Sequence, residues 1–240
     1  MQRSRDRILT THTGSLPRPR DLVTMLRERE EGRAVDGVAL DARVRAAVFD
    51  AVQKQTAAGL AIVNDGEQGR VDYTVYVKDR LTGFDGESAP LPGIDADEFP
   101  EWTEMARQFA PPFQRRPACT GPVEWKDWPA VERDIETLGR ATTGAGIEEV
   151  FMTSPSPGQI GRFLNNRYYP SDEAYLARVA EVMRREYEAI VRAGFVLQLD
   201  CPDLAMERVR FFQDEPMDRF LDAVALHIDA INEAIASIPP

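Results

Sequence analysis

The run Phe195-Val196-Leu197-Gln198-Leu199-Asp200-Cys201-Pro202-Asp203 decides how the rest of the sequence is read. It is a short apolar strand released by Gly194 and closed by a polar turn with a proline in it. Ahead of it the spacing predicts the clearest helix of the chain, from about Asp172 to Ala193. Ser171 is its N-cap, Asp172 and Glu173 suit the positive end of its macrodipole, and Gly194 closes it. Leu176, Val179, Ala180, Met183, Tyr187, Ile190 and Val191 make its apolar face. A last helix, about Met217 to Ile238, follows.

The same unit recurs towards the N-terminus. Apolar runs at Ile8–Thr11, Leu60–Val63, Pro117–Cys119 and Glu149–Met152 each end in a polar motif. These motifs are His12 to Ser15, Asp65 to Arg70, Thr120 to Trp128 and Ser154 to Gly158. Helices are expected near Leu22 to Arg29, Leu40 to Ala58 and Ala130 to Arg140, with Gly59 as a C-terminal cap. Strand–helix alternation predicts parallel strands joined by right-handed crossovers. No G-x-G-x-x-G turn follows the first strand, which weighs against a dinucleotide-binding sheet. Polar strand ends throughout are the habit of a (β/α)8 TIM barrel, whose site is assembled at the C-terminal ends of its strands. Five strands are not eight. The expectation is an incomplete barrel of about five β/α units, with residues 1–240 as one partial domain. An excursion at about residues 78–116, after the second strand, is partly helical from Pro100 to Phe109 and serves as a lid or a packed cover.

Composition narrows the class. Of 240 residues 43% are hydrophobic and 29% charged, enough for a full core and too ordered for a disordered or fibrous chain. The net charge of −11 repels phosphate backbones and anionic lipid, so nucleic acid and membrane surfaces are poor partners. Two cysteines, Cys119 and Cys201, exclude a disulfide scaffold and fit a reducing compartment, hence the cytoplasm. No apolar run approaches the ~20 residues of a membrane span.

At the strand ends, Glu67 and Asp200 suit a substrate ammonium, and Ser15 with the Gly14 turn suits a carboxylate through hydroxyl and N–H. His12, Asp65 and Cys201 reach the same mouth; Asp65 and Asp203 are equally typical of turns and caps. Cys119 reads as a small buried residue and His227 as a solvated or capping one in mid-helix. His12, Cys119, Cys201 and His227 form no C-x-x-C, H-x-C or H-E-x-x-H pair, so no metal site is read within the chain.

Four motifs carry a resemblance. Thr10-Thr11-His12-Thr13-Gly14-Ser15-Leu16-Pro17-Arg18, Asn64-Asp65-Gly66-Glu67, Cys119-Thr120-Gly121-Pro122-Val123 and Leu197-Gln198-Leu199-Asp200-Cys201-Pro202-Asp203-Leu204-Ala205 resemble, in order, motifs of the catalytic barrel of cobalamin-independent methionine synthases. The resemblance covers about residues 8 to 238. It implies a methyltransferase, without cobalamin, that moves the methyl group of 5-methyltetrahydrofolate or a related donor to the thiol of homocysteine or a related thiol, activated by zinc. It implies that Ser15 and Glu67 bind the amino acid's backbone groups and Asp200 its ammonium. Trp128, eight residues after Thr120, matches the tryptophan that packs on the folate, although Trp125 competes; Thr120 and Ser154 would lie beside the donor. The family's zinc ligands, an H-x-C pair, a glutamate and a second cysteine on later strands, have no counterparts in this chain. The resemblance therefore implies a barrel truncated after about five strands, which self-associates or takes a complementary C-terminal half-barrel as partner. Two other readings stand beside it: a uroporphyrinogen decarboxylase-like barrel using Arg18, Arg20 and Arg70, and a non-catalytic binding or assembly subunit.

Overall fold

The computed structural model of the protein describes residues 2–89, 98–109 and 116–239. In chain order the elements are α1 (Arg20–Glu30), α2 (Gly37–Ala57), β1 (Ile62–Val63), α3 (Val77–Arg80), β2 (Phe84–Asp85), α4 (Pro100–Phe109), β3 (Ala118–Cys119), α5 (Trp128–Thr142), β4 (Glu149–Pro155), α6 (Pro157–Phe163), α7 (Asp172–Arg192), β5 (Val196–Asp200), α8 (Asp203–Arg210) and α9 (Met217–Ile235).

Helix ends follow their caps. α2 starts at Gly37 because the Asp36 carboxylate accepts the N–H groups of Val38 and Ala39. Ser171 caps α7 through the N–H of Ala174 at 3.2 Å, and Gly194, at φ +86°, releases the chain into β5. The face expected for α7 is buried from Leu176 to Ile190, with Tyr175 added to it.

The strands depart from the expected five parallel staves. β1, β4 and β5 form a parallel sheet in that order, with Val63 opposite Val150 and Phe151 through Pro155 opposite Val196 through Asp200. The run at Pro117–Cys119 is not the next member of this sheet. As β3 it pairs antiparallel with β2, Phe84 opposite Cys119, and so belongs to a hairpin that opens and closes the excursion. Two buried residues make an apolar run, but a run carries no direction, and only pairing decides it. The segment Ile8–Thr11 makes no ladder: the Thr10 carbonyl alone accepts from Ala61 and Ile62, at 3.0 and 3.1 Å. The sheets among the described residues are thus three parallel strands and a two-stranded ribbon, and a five-stranded barrel wall is not what they form.

The core gathers where helices cover the sheet. Val52 of α2, Leu138 of α5 and Ile190 of α7 pack on Val63 and Met152. A larger cluster joins α1, α3, α6, α7 and α9 through Leu22, Leu26, Val77, Ile160, Tyr175 and Ala234. Each fully buried valine, leucine, isoleucine or methionine among them contributes roughly 1.5–3 kcal/mol.

One turn holds the hairpin. Gly83 sits at φ +86°, where a Cβ would lie 2.6 Å from the Gly121 carbonyl oxygen and 2.7 Å from that of Pro122. Gly83→Ala therefore meets both a left-handed backbone and two carbonyls, and should lower stability by about 2–4 kcal/mol in urea unfolding. Gly32→Ala, at φ +73° with open space around it, should cost only the backbone part, about 1–2 kcal/mol. Equal effects of the two substitutions would show that the hairpin does not close as described.

Candidate functional site

Beyond β1 the chain makes a tight polar turn whose side chains bond back to it. Asn64 accepts the N–H of Gly66 and Asp65 that of Glu67, both at 2.9 Å, holding Glu67 at φ +55°. Glu67 is the one non-glycine residue with positive φ among those described, a conformation that costs roughly 1–3 kcal/mol and clusters at functional sites. The turn directs its carboxylate inwards, where Thr153 of β4 donates its hydroxyl to Oε1 at 2.9 Å. The same hydroxyl accepts from Arg70 Nη1 at 2.9 Å. Arg70 is fully buried, with its guanidinium 4.5 Å from the Tyr76 ring centroid.

The segment before α1 closes over this turn. Gly14 packs so tightly that a Cβ would lie 3.0 Å from both Glu67 Oε1 and the Thr153 methyl group. Asn64 donates to the Gly14 carbonyl at 3.1 Å, and Arg18 donates to the Glu67 carbonyl at 2.7 Å. From β5, Gln198 donates both to the Thr13 carbonyl at 2.6 Å and to Asp200 Oδ1 at 3.0 Å. Thr13, Gly14, Glu67, Thr153 and Asp200 are therefore tied into one cluster at the ends of β1, β4 and β5.

Its electrostatics are those of a partly dehydrated acidic cluster. Burial pushes the Glu67 carboxyl up, against the pull of Arg70; Asp65 and Asp200 add to the rise. Burial also raises Asp200, opposed by the Gln198 hydrogen bond and Arg70. Burial would depress Arg70, but Tyr76, Asp65, Glu67 and Asp134 outweigh it and hold its pKa above the ordinary value. Glu67 Oε2 and the Nε atoms of Arg18 and Arg70 are buried without a hydrogen-bond partner. A buried acceptor left so costs about 1–3 kcal/mol.

The other expected site residues lie elsewhere or are committed. Ser15 is exposed beside Gly14, and Asp65 is buried as the clasp of the turn. His12 is held between Gln55, at 2.8 Å, and the N–H of Gly14, with its ring against Phe151. Ser154 points away from Thr153 and donates to Glu186 of α7 at 2.9 Å. Thr120 lies exposed on the ribbon, its N–H bonded to the Gly83 carbonyl at 2.7 Å. Trp128 stands at the start of α5 with the Arg185 guanidinium 3.8 Å over its ring and Trp125 at its edge. His227, expected to be solvated or capping, is instead buried and bonded to Asp203 at 2.9 Å. Its partner lies 24 residues away, beyond the reach of a local pattern. Sequence pattern alone does not single out Thr153, Asn64 or Gln198 as site residues, nor give Arg70 its place beside Glu67. Strand alternation separates Thr153 from Ser154, but β4 is buried on both faces and its hydropathy gives no phase.

The soft metal donors do not converge. His12 and His227 are engaged as above; Cys201 lies against the Leu199 carbonyl and Cys119, buried in β3, against that of Gly121. Burial pushes both thiols up to about 11. Among the described residues no three histidine, cysteine or acidic side chains are grouped to hold a metal ion, so the residues present do not fit a zinc site.

A parallel α/β chain with an acidic, dehydrated cluster at its strand ends is the class these observations define. Comparison with known proteins narrows it: the curated homologues are methionine synthases, and the fold is shared with the B12-independent enzymes. Methionine synthase of Pyrococcus furiosus is 26% identical over 230 residues, covering 95% of this chain and 58% of that protein. The 5-methyltetrahydropteroyltriglutamate–homocysteine methyltransferase of Streptomyces avermitilis is 31% identical over 150 residues, 54% of this chain and 19% of the relative. The structure of a B12-independent methionine synthase from Shewanella sp. W3-18-1, in complex with selenomethionine, superposes with a TM-score of 0.61. It is 22% identical, and the match covers 85% of this chain and 51% of that one. No family model matches the sequence. The chain thus spans little more than half the length of the full relatives it resembles.

The raised carboxyl of Glu67 fixes the sign of a pH effect. A carboxyl whose folded pKa lies above its unfolded value binds its proton more tightly when folded. Stability from this group is then present below the unfolded pKa and lost as pH rises towards the folded one. Each tenfold difference in proton affinity between the two states is worth about 1.4 kcal/mol. Glu67→Gln, which is neutral throughout, should gain stability relative to the parent chain as pH rises above the unfolded carboxyl value of about 4. A difference in urea midpoint that stays flat as pH rises would show that Glu67 is not desolvated.

Proposed function

We propose that the chain is the substrate-binding part of a cobalamin-independent methyltransferase that methylates the thiol of homocysteine or a close relative. The observation that carries this reading is the buried, unpartnered Oε2 of Glu67, beside Gly14 at the strand ends. A second carboxylate, Asp200, lies close enough to raise Glu67 further. Two raised carboxyls in a half-dry pocket are matched by an ammonium group, which restores their charged forms by proximity. In this reading Glu67 and Asp200 hold the amino group, while Ser15 and the backbone at Gly14 receive the carboxylate. Arg70 and Thr153 keep Glu67 oriented, and Arg18 fixes its backbone.

The names of the relatives supply the rest of the reaction. A 5-methyltetrahydrofolate-type donor would give its methyl carbon to the thiol sulfur; the donor nitrogen keeps the bonding pair and takes up a proton. Thr120 beside the ribbon stands for the donor side. Ser154 and Trp128 have the least geometric support, because Ser154 is buried and bonded to Glu186 and Arg185 occupies the Trp128 ring face. Zinc in such enzymes supplies a lowered thiol pKa; a free thiol near 8.5 is only a few percent thiolate at pH 7. His12 and Cys201 are engaged elsewhere and do not supply that chemistry here. A cytoplasmic setting fits the two free cysteines, and no helix among the described residues is long and apolar enough to cross a membrane.

The same reading extends to a partner. The outer edge of β5 carries no strand among the described residues, and its five residues are half-buried. Met217, Leu221 and Ile228 stand 51%, 51% and 42% exposed on α9, while Phe220, His227, Ala230 and Ala234 are buried on its other side. An open parallel edge and a helix with a second apolar face are each what a further β/α unit would cover, as the next part of a barrel wall. A complementary half-barrel, or failing it a second copy, is the proposed partner.

Two measurements test this. Calorimetry should show homocysteine binding to the chain, weakened about ten- to a hundred-fold by Asp200→Asn, the worth of a buried charged hydrogen bond. Unchanged affinity would remove Asp200 from the pocket. In sedimentation the chain alone should self-associate, and a stable monomer with cooperative unfolding would refute the open edge.

A further inference from the structure

We propose that His227, Asp203 and Ser156 form a buried chain whose role is to position Asp200; this rests on the substrate reading above and adds a positioning device to it. His227 of α9 donates from Nδ1 to Asp203 Oδ2 at 2.9 Å. The Ser156 hydroxyl donates to Asp203 Oδ1 at 2.7 Å and accepts the N–H of Gln159 at 3.0 Å, which caps α6. The N–H of Ser156 donates to the Asp200 carbonyl at 3.0 Å. One hydrogen-bonded path thus runs from α9 to the backbone of the residue assigned to the ammonium.

Three features separate this path from ordinary packing. All three side chains are at most 2% exposed, and a polar network in such a place is costly unless every member is satisfied. The backbone approaches it closely: a Cβ on Gly158 would lie 2.5 Å from His227 Nδ1 and would collide with Asp203. The path also joins both ends of the β5–α8 turn, Asp203 through its side chain and Asp200 through its carbonyl, and the Asp200 side chain is itself held by Gln198. The groups facing His227 are Asp203 and, at 3.8 Å, Glu207 of α8, the latter paired with Arg162 of α6 at 2.7 Å. Without the donor at His227, Asp203 would turn to other partners and release Ser156 and the end of β5.

The test reads Asp200 directly. In the full chain with labelled carboxyl carbons, NMR should show the Asp200 titration and the Gln198 side-chain amide shifting in His227→Leu. His227→Gln, whose amide donates in place of the ring nitrogen, should return both towards their original positions. By calorimetry His227→Leu should bind homocysteine about tenfold more weakly, with His227→Gln within about threefold of the parent. Unmoved Asp200 and Gln198 signals in folded His227→Leu overturn the proposal, whatever the affinity. If the parent chain binds no homocysteine while those signals move, the positioning chain stands and the substrate reading falls. Should His227→Leu fail to fold, Ser156→Ala breaks the same path one link nearer Asp200 and is read by the same signals.

Discussion

The hydroxyl of Thr153, shared between Glu67 and Arg70, is the constraint on which the remaining geometry depends. A fully buried guanidinium and a buried carboxylate are each expensive in isolation, and each is tolerable here because a third group joins them. Thr153 does this from β4, the central strand of the parallel sheet, where its backbone pairs with Gln198 of β5, beyond the end of the shorter β1 ladder at Val150. The strained turn at Glu67 brings the carboxylate to it.

From Arg70 the network continues into the helical layer. The Tyr76 ring lies between the guanidinium groups of Arg70 and Arg80, and its hydroxyl donates to Glu186 of α7 at 2.7 Å. Arg80 reaches Asp134 of α5 and stands 3.6 Å from Glu186. The site is therefore anchored to α5 and α7, not only to the loops that line it. Such networks hold one arrangement strongly and leave few others, which suits the ligand-binding role proposed for Glu67.

How much of this is legible in the sequence depends on the element. α7 can be read almost to the residue because Ser171, Gly194 and a repeating apolar face agree with one another. α6 and α8 hide inside motifs that read as turns, since Ser156 and the Pro202–Asp203 pair serve a turn as readily as a short helix. Apolar runs overcount the parallel sheet because β1 and β3 are two residues long and show no period from which direction could be inferred. Within the site, Gly14, Glu67 and Asp200 are visible as polar residues closing apolar runs. The pairing of Thr153 with Arg70 is not, because it is a contact across 83 residues. His227 defeats a local reading for the same reason: an isolated histidine on a helix says nothing of Asp203.

The function proposed for the site turns on where an amino-acid thiol binds. Amide NMR of the chain titrated with homocysteine measures that directly. The prediction is that Gly14, Ser15, Gly66, Glu67, Thr153 and Asp200 shift together and saturate in parallel. A cavity of about 400 Å³ between α6, α7 and α9, lined by Arg162, Asp172, Phe212, Arg219 and Asp222, is the alternative location. Shifts confined to that cavity, or none anywhere, would contradict a thiol site at the strand ends.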